Sequence, residues 1–172
     1  MASSTFLGGG DSIVHQATVT LTDAQIKALP TTPVVIIPAP GANRFIVLVQ
    51  AIAIIDTLAG LYTNVSADVY VQLLLSPGDQ DFAVSNPSDA SATAGLLGTT
   101  RAAIFLTPFS YAGTGGQSGL IISNYGAESS VVNQSLAIAM TNDDGDLTGG
   151  NVANTLTVAV SYLVLSLDGE FV

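Results

Sequence analysis

The residues able to do chemistry are few: one histidine (His15), no cysteine, and thirteen carboxylates against three cations, Lys27, Arg44 and Arg101. His15 falls in the alternating stretch Ile13, His15, Ala17, Val19, Leu21. That places it on the apolar face of a strand, where a lone histidine packs; a catalytic triad also needs a placed nucleophile and an orienting acid. Without cysteine, thiol catalysis, disulfide frameworks and zinc sites built on Cys or His clusters fall away. The segment Gly113-Thr114-Gly115-Gly116-Gln117-Ser118-Gly119 has the glycines of a phosphate loop but not its lysine, and it misses G-x-S-x-G by one position. It reads as a loop.

Carboxylates gather twice. Asp79 and Asp81 flank a turn, and Asn142-Asp143-Asp144-Gly145-Asp146 opens a loop rich in Gly and Asn. Hard cations such as Ca²⁺ take oxygen-rich loops of this kind, which makes Asp143, Asp144 and Asp146 the candidate ligands. With Gly145 at the invariant glycine of an EF-hand, however, Met140 and Asn151 fall on the first and last ligand positions, and the register fails. A solvated turn is expected, with no metal and no cofactor. No enzymatic activity is expected either.

Charged residues make up 9% of the 172-residue chain, with a net charge of −10, where an ordinary soluble domain carries about 25% charged residues. Nucleic-acid binding needs Lys and Arg to displace phosphate counterions, so no nucleic-acid partner is expected. No polybasic patch exists for an anionic membrane. The most apolar stretch, Phe45–Tyr62, is broken at Asp56, short of the roughly 20 residues a spanning helix needs, and its Ile and Val favour a strand. No membrane partner is expected. Met1–Gly10 has neither a basic start nor an apolar run, so no secretory signal is expected. It reads as a flexible N-terminal arm (residues 1–10) ahead of a single domain (residues 11–172).

The elements that position these residues are mostly strands. One short helix is predicted after Thr22, which forms a capping box with Gln25 and is followed by Asp23 near the positive helix end. Ile26 and Leu29 would face inward, and Pro30 and Pro33 stop the helix. Val34–Ile37, fenced by Pro33 and Pro38, reads as an edge strand. Phe45–Ile55, Val69–Leu75, Arg101–Leu106, Gly119–Ser123, Ser135–Met140 and Leu156–Leu167 read as further strands. Loops are expected at Ser76–Asp81, Ser85–Thr100, Ser110–Gln117 and Asn142–Asn154. This pattern predicts an all-β fold: a β-sandwich or jelly-roll-like antiparallel barrel with one short N-terminal helix.

The two longest strands are apolar on both faces. Phe45, Val47, Val49, Ala51, Ala53 and Ile55 alternate with Ile46, Leu48, Gln50, Ile52 and Ile54; Leu156, Val158, Val160, Tyr162 and Val164 alternate with Thr157, Ala159, Ser161, Leu163 and Leu165. A sandwich strand normally shows one polar face to water. A second dry face calls for a covering loop or a neighbouring subunit, and the scarcity of charge favours the subunit. Phe45, Val47, Val49, Leu163 and Leu165 are the interface candidates, and a homo-oligomer is expected.

Thr20–Ala42, with TDAQIKALPTTPV and PAPGA, followed by a long apolar strand and Leu61-Tyr62-Thr63-Asn64, resembles the opening of a group of small tailed-bacteriophage virion structural proteins. The resemblance implies a capsid decoration (cement) protein with a jelly-roll-like fold. It further implies a homotrimer bound to the major capsid protein on the outer capsid surface of the virion, after synthesis in the host cytoplasm. The competing expectation is a tail- or head-associated adhesin module that binds carbohydrate, with Ca²⁺, through Tyr62, Tyr111, Tyr125 and the 142–154 loop.

Overall fold

The computed structural model describes residues 14–57, 60–66, 69–76, 80–84, 97, 101–108 and 132–167. The expected N-terminal arm, the Gly119–Ser123 strand, and the loops at Ser85–Thr100 (Leu97 apart) and Ser110–Gln117 lie outside these residues. Within them the chain is almost entirely antiparallel β-structure: β1 (His15–Thr22), α1 (Asp23–Ala28), β2 (Val34–Ile37), β3 (Arg44–Asp56), β4 (Tyr62–Thr63), β5 (Tyr70–Ser76), β6 (Gln80–Val84), β7 (Arg101–Pro108), β8 (Ser135–Thr141), β9 (Thr148–Gly149) and β10 (Thr155–Ser166). The fold is all-β with one short helix.

The helix is six residues long. Gln25 N–H donates to Thr22 Oγ1 and Thr22 N–H to Gln25 Oε1, the reciprocal bonds of the capping box. Ile26 and Leu29 are fully buried. At its far end, Lys27 O and Leu29 O accept from the backbone N–H groups of Leu147 and Met140, so carbonyls that a helix leaves unpaired are met by the strand and loop beside it.

Eight strands form one sheet in the order β1-β10-β3-β7-β6-β5-β8-β2, and β4 pairs with β9 separately. With the two-residue strands β4 and β9 set aside, the first strand pairs with the last (β1–β10) and the second with the second-last (β2–β8). The third pairs with the sixth (β3–β7) and the fourth with the fifth (β5–β6). β2 stands at one edge of the order, as its flanking prolines predict. Leu21 and Val158 at one end of that order join a single buried cluster with Ile36, Leu73 and Ile138 at the other, so the sheet curls around one core.

Three expectations are corrected. A strand, β6, occupies Gln80–Val84 and so takes in Gln80 and Asp81, the end of the expected Ser76–Asp81 loop; it is short, and its apolar residues are too few to carry a periodic signal. The Asn142–Asn154 loop contains β9. The largest correction concerns β3. Its buried face is Ile46 and Leu48, then Ala51, Ala53 and Ile55, and not one unbroken alternation from Phe45 to Ile55. The phase changes because Ser161 pairs with Gln50 while Tyr162 pairs with Leu48, leaving Val49 as an extra residue in a β-bulge. Strand β8, in contrast, is dry on both faces: Leu136, Ile138 and Met140 join the main core, and Ala137 and Ala139 form a second small cluster with Leu74.

Candidate functional site

The bulge decides what the outer face of the sheet presents. Beyond it, Val47 pairs with Leu163 and Phe45 with Leu165 on the face opposite Ile46 and Leu48. β1 reaches only as far as Tyr162 along β10, and β7 only as far as Ala51 along β3. Among the described residues, 44–48 and 163–166 therefore form a two-stranded ribbon that extends past the strands paired on either side of it. Phe45, Val47, Leu163 and Leu165 are each partly exposed. Val49 in the bulge is 50% exposed and Leu167 beyond β10 is 43% exposed. The five interface candidates thus come together in one apolar patch. Ile52 and Ile54, also half-buried, continue it along β3.

The ribbon is tied at its far end, around Arg44 and Ser166, by two backbone bonds and one to an asparagine side chain. Asn133 N–H donates to Arg44 O at 2.7 Å, Leu167 N–H donates to Asn43 O at 2.8 Å, and Asn133 Oδ1 accepts from Gly41 N–H at 3.0 Å. Asn43 and Asn133 both have positive φ, at 60° and 55°, a conformation that asparagine tolerates better than most residues.

The acidic loop is organised by amides. Asn142 Oδ1 accepts from Ser66 N–H at 2.8 Å, while its Nδ2 donates to Asn64 O and Gly145 O. Asn64 Nδ2 returns the exchange, donating to Asp144 O at 2.9 Å and Asp146 O at 2.8 Å. The Asp144, Gly145 and Asp146 carbonyls of this loop thus each accept from an amide N–H. Asp146 Oδ1 accepts from Thr31 Oγ1 at 2.7 Å, and Asp143 and Asp144 are exposed. Among the described residues, no three His, Cys, Asp or Glu gather in a way that could hold a metal ion. Asn142→Ala is expected to lower stability by about 1–3 kcal/mol, since each net hydrogen bond contributes about 0.5–1.5 kcal/mol and these three are partly solvated. The midpoint of urea unfolding checks this.

The remaining candidates separate. His15 stacks on Tyr162, its cross-strand partner, with ring centroids 5.3 Å apart and an interplanar angle of 30°. Gly113–Gly119, Asp79, Tyr111 and Tyr125 lie outside the described residues, as does the side chain of Asp81. Tyr62 is buried, which corrects its assignment as a sugar-stacking residue: a ring inside the core has no face for a ligand.

Sequence reasoning missed what Tyr62 does instead. Its hydroxyl is buried beside Asp23 and Asn154, and desolvation pushes the phenol well above its usual range. The Asn154 amide pulls it partly back, and the Asp23 carboxylate adds to the rise. A phenol raised in the folded state keeps its proton after the unfolded chain has lost it. Its stabilising contribution is complete below the ordinary phenol value of about 10 and falls as pH climbs above it, by up to about 1.4 kcal/mol per pH unit. Between pH 9 and pH 11 the unfolding free energy is expected to drop more steeply in the wild type than in Tyr62→Phe. Equal slopes would contradict this.

No helix among the described residues is long and apolar enough to cross a membrane; Phe45–Asp56, within the most apolar stretch of the sequence, is strand β3. No family model matches the chain, and no curated protein or solved structure is significantly similar to it.

Proposed function

We propose that this chain is a non-enzymatic virion structural protein, a decoration (cement) protein that binds the outer surface of a tailed-phage capsid as an oligomer. The observation that carries the reading is the outer apolar patch of Phe45, Val47, Val49, Leu163 and Leu165 on the two-stranded β3–β10 ribbon. Contiguous apolar surface of this kind suits a protein–protein contact, and its location on paired strands gives a partner a preformed shape. Residues 45–49 and 162–166 carry no charged side chain, so a contact on this ribbon is made through neutral side chains. The trimer, the major capsid protein as partner and the virion location rest on the resemblance of Thr20–Ala42.

The same reading includes a jelly roll. Pairing first with last, second with second-last, third with sixth and fourth with fifth is what results when a long antiparallel hairpin of eight strands is rolled up, and jelly rolls recur in viral capsid and lectin domains. The lectin association also suits the adhesin alternative, but that reading loses Tyr62 to the core and two loop carbonyls of its Ca²⁺ site to amide donors.

The test is co-sedimentation of the purified chain with empty capsids of tailed phages. Saturable binding at a fixed ratio to the major capsid protein is the expected result. A chain that stays in the supernatant at every capsid concentration, and whose melting temperature rises with calcium or with a glycan, would replace this reading with the adhesin.

A further inference from the structure

Where α1, β4 and the turn before β10 meet, three nearly inaccessible side chains converge: Asp23 at 6% exposure, Tyr62 at 3% and Asn154 at 0%. Each brings a buried polar atom without a hydrogen-bond partner, namely Asp23 Oδ1, Tyr62 Oη and Asn154 Oδ1. The rest of these groups is committed. Asp23 Oδ2 accepts from Lys27 Nζ at 2.7 Å, and Asn154 Nδ2 donates to Gly60 O at 2.8 Å. That second bond also orients the amide, because a flipped Asn154 would set its oxygen against the Gly60 carbonyl. The Tyr62 hydroxyl lies beside both Asp23 and Asn154, and Asp23 Oδ1 and the Tyr62 ring both border Gly150. A Cβ on Gly150 would lie 2.5 Å from Asp23 Oδ1 and 2.6 Å from Tyr62 Cε1.

The difficulty is a shortage of protons. Two of the three atoms only accept, and the phenol has one hydrogen to give. One donor cannot fully satisfy two buried acceptors, and a buried acceptor left unpaired costs about 1–3 kcal/mol.

We propose that Asp23 Oδ1, Tyr62 Oη and Asn154 Oδ1 bind a single internal water molecule, which donates to the carboxylate and the amide oxygen and accepts from the phenol. Three bonds are typical of a buried water, and this arrangement leaves no atom of the cluster unpaired. A metal ion fits less well. The Gly60 and Leu61 carbonyls close by already accept from Asn154 Nδ2 and Gly150 N–H, and Lys27 already balances Asp23. A hard cation such as Ca²⁺ would find three oxygens where it takes six to eight. The water ties the helix to β4 and to the start of β10, three segments distant in sequence. It is independent of the proposed function.

A high-resolution crystal structure of the whole chain tests this. The expected result is one solvent peak about 2.6–3.2 Å from all three atoms, together with water-to-protein cross-relaxation at the Asn154 side-chain amide in solution. In Tyr62→Phe the water loses its acceptor bond but keeps both donor bonds, so the peak persists. Direct contact of Tyr62 Oη with Asp23 Oδ1, no peak and no cross-relaxation would overturn the proposal. So would a peak at about 2.4 Å, a Ca²⁺–oxygen distance, that disappears with chelator.

Discussion

Gly150→Ala is expected to destabilise the fold by about 2–5 kcal/mol, much more than Gly145→Ala. Gly150 has φ +70°, and a Cβ there would press on Asp23 Oδ1 and the Tyr62 ring. A left-handed conformation costs an ordinary residue about 1–2 kcal/mol, and forcing extra volume into a packed site adds about 1–3 kcal/mol. Gly145 has φ +81° with nothing within 4 Å of its added Cβ, so only the first cost applies. Urea unfolding of both variants separates the two contributions. Equal losses would show that the space around Gly150 is not filled as described.

Leu163→Asp is expected to weaken self-association at least about 100-fold while leaving the unfolding midpoint of the subunit almost unchanged. Burying an unpaired carboxylate in an apolar contact costs several kcal/mol, and each 1.4 kcal/mol is tenfold in affinity. Within the subunit Leu163 lies on the outer face, away from Ile46 and Leu48, so its loss opens no hole in the core. Val35→Asp is the control. Val35 is 52% exposed but sits on β2, outside the β3–β10 ribbon, and adding a charge there is expected to leave association intact. If the two variants weakened association equally, general hydrophobicity rather than the ribbon would be responsible.

Local chemistry made much of this fold legible. The Thr22–Gln25 capping box, the Pro33 and Pro38 fence around β2 and the alternation of Leu156, Val158 and Val160 each depend on residues a few positions apart, and each stands in the structure. The patch residues were legible for a similar reason: neither long strand has a consistently polar face. The same property hid the bulge. When both faces are apolar, periodicity carries no phase, and nothing in Leu48-Val49-Gln50-Ala51 marks where the inward side changes. The buried cluster of Asp23, Tyr62 and Asn154 was out of reach because its members come from three segments far apart in the chain. Its polar residues also read locally as cap, loop and turn. The Asn64–Asn142 exchange was hidden likewise: an acidic loop suggests a cation, and only tertiary contact shows amides occupying its carbonyls.

The claim on which the account rests is that the ribbon patch is covered by another protein chain. Multi-angle light scattering of the isolated 17.4 kDa chain over a wide concentration range tests it most directly. The account predicts a stable species at a small whole-number multiple of that mass, three being the multiple the resemblance implies, which dissociates on Leu163→Asp. A chain that stays at its single-copy mass at every concentration, free of aggregation and unaffected by the substitution, would contradict it.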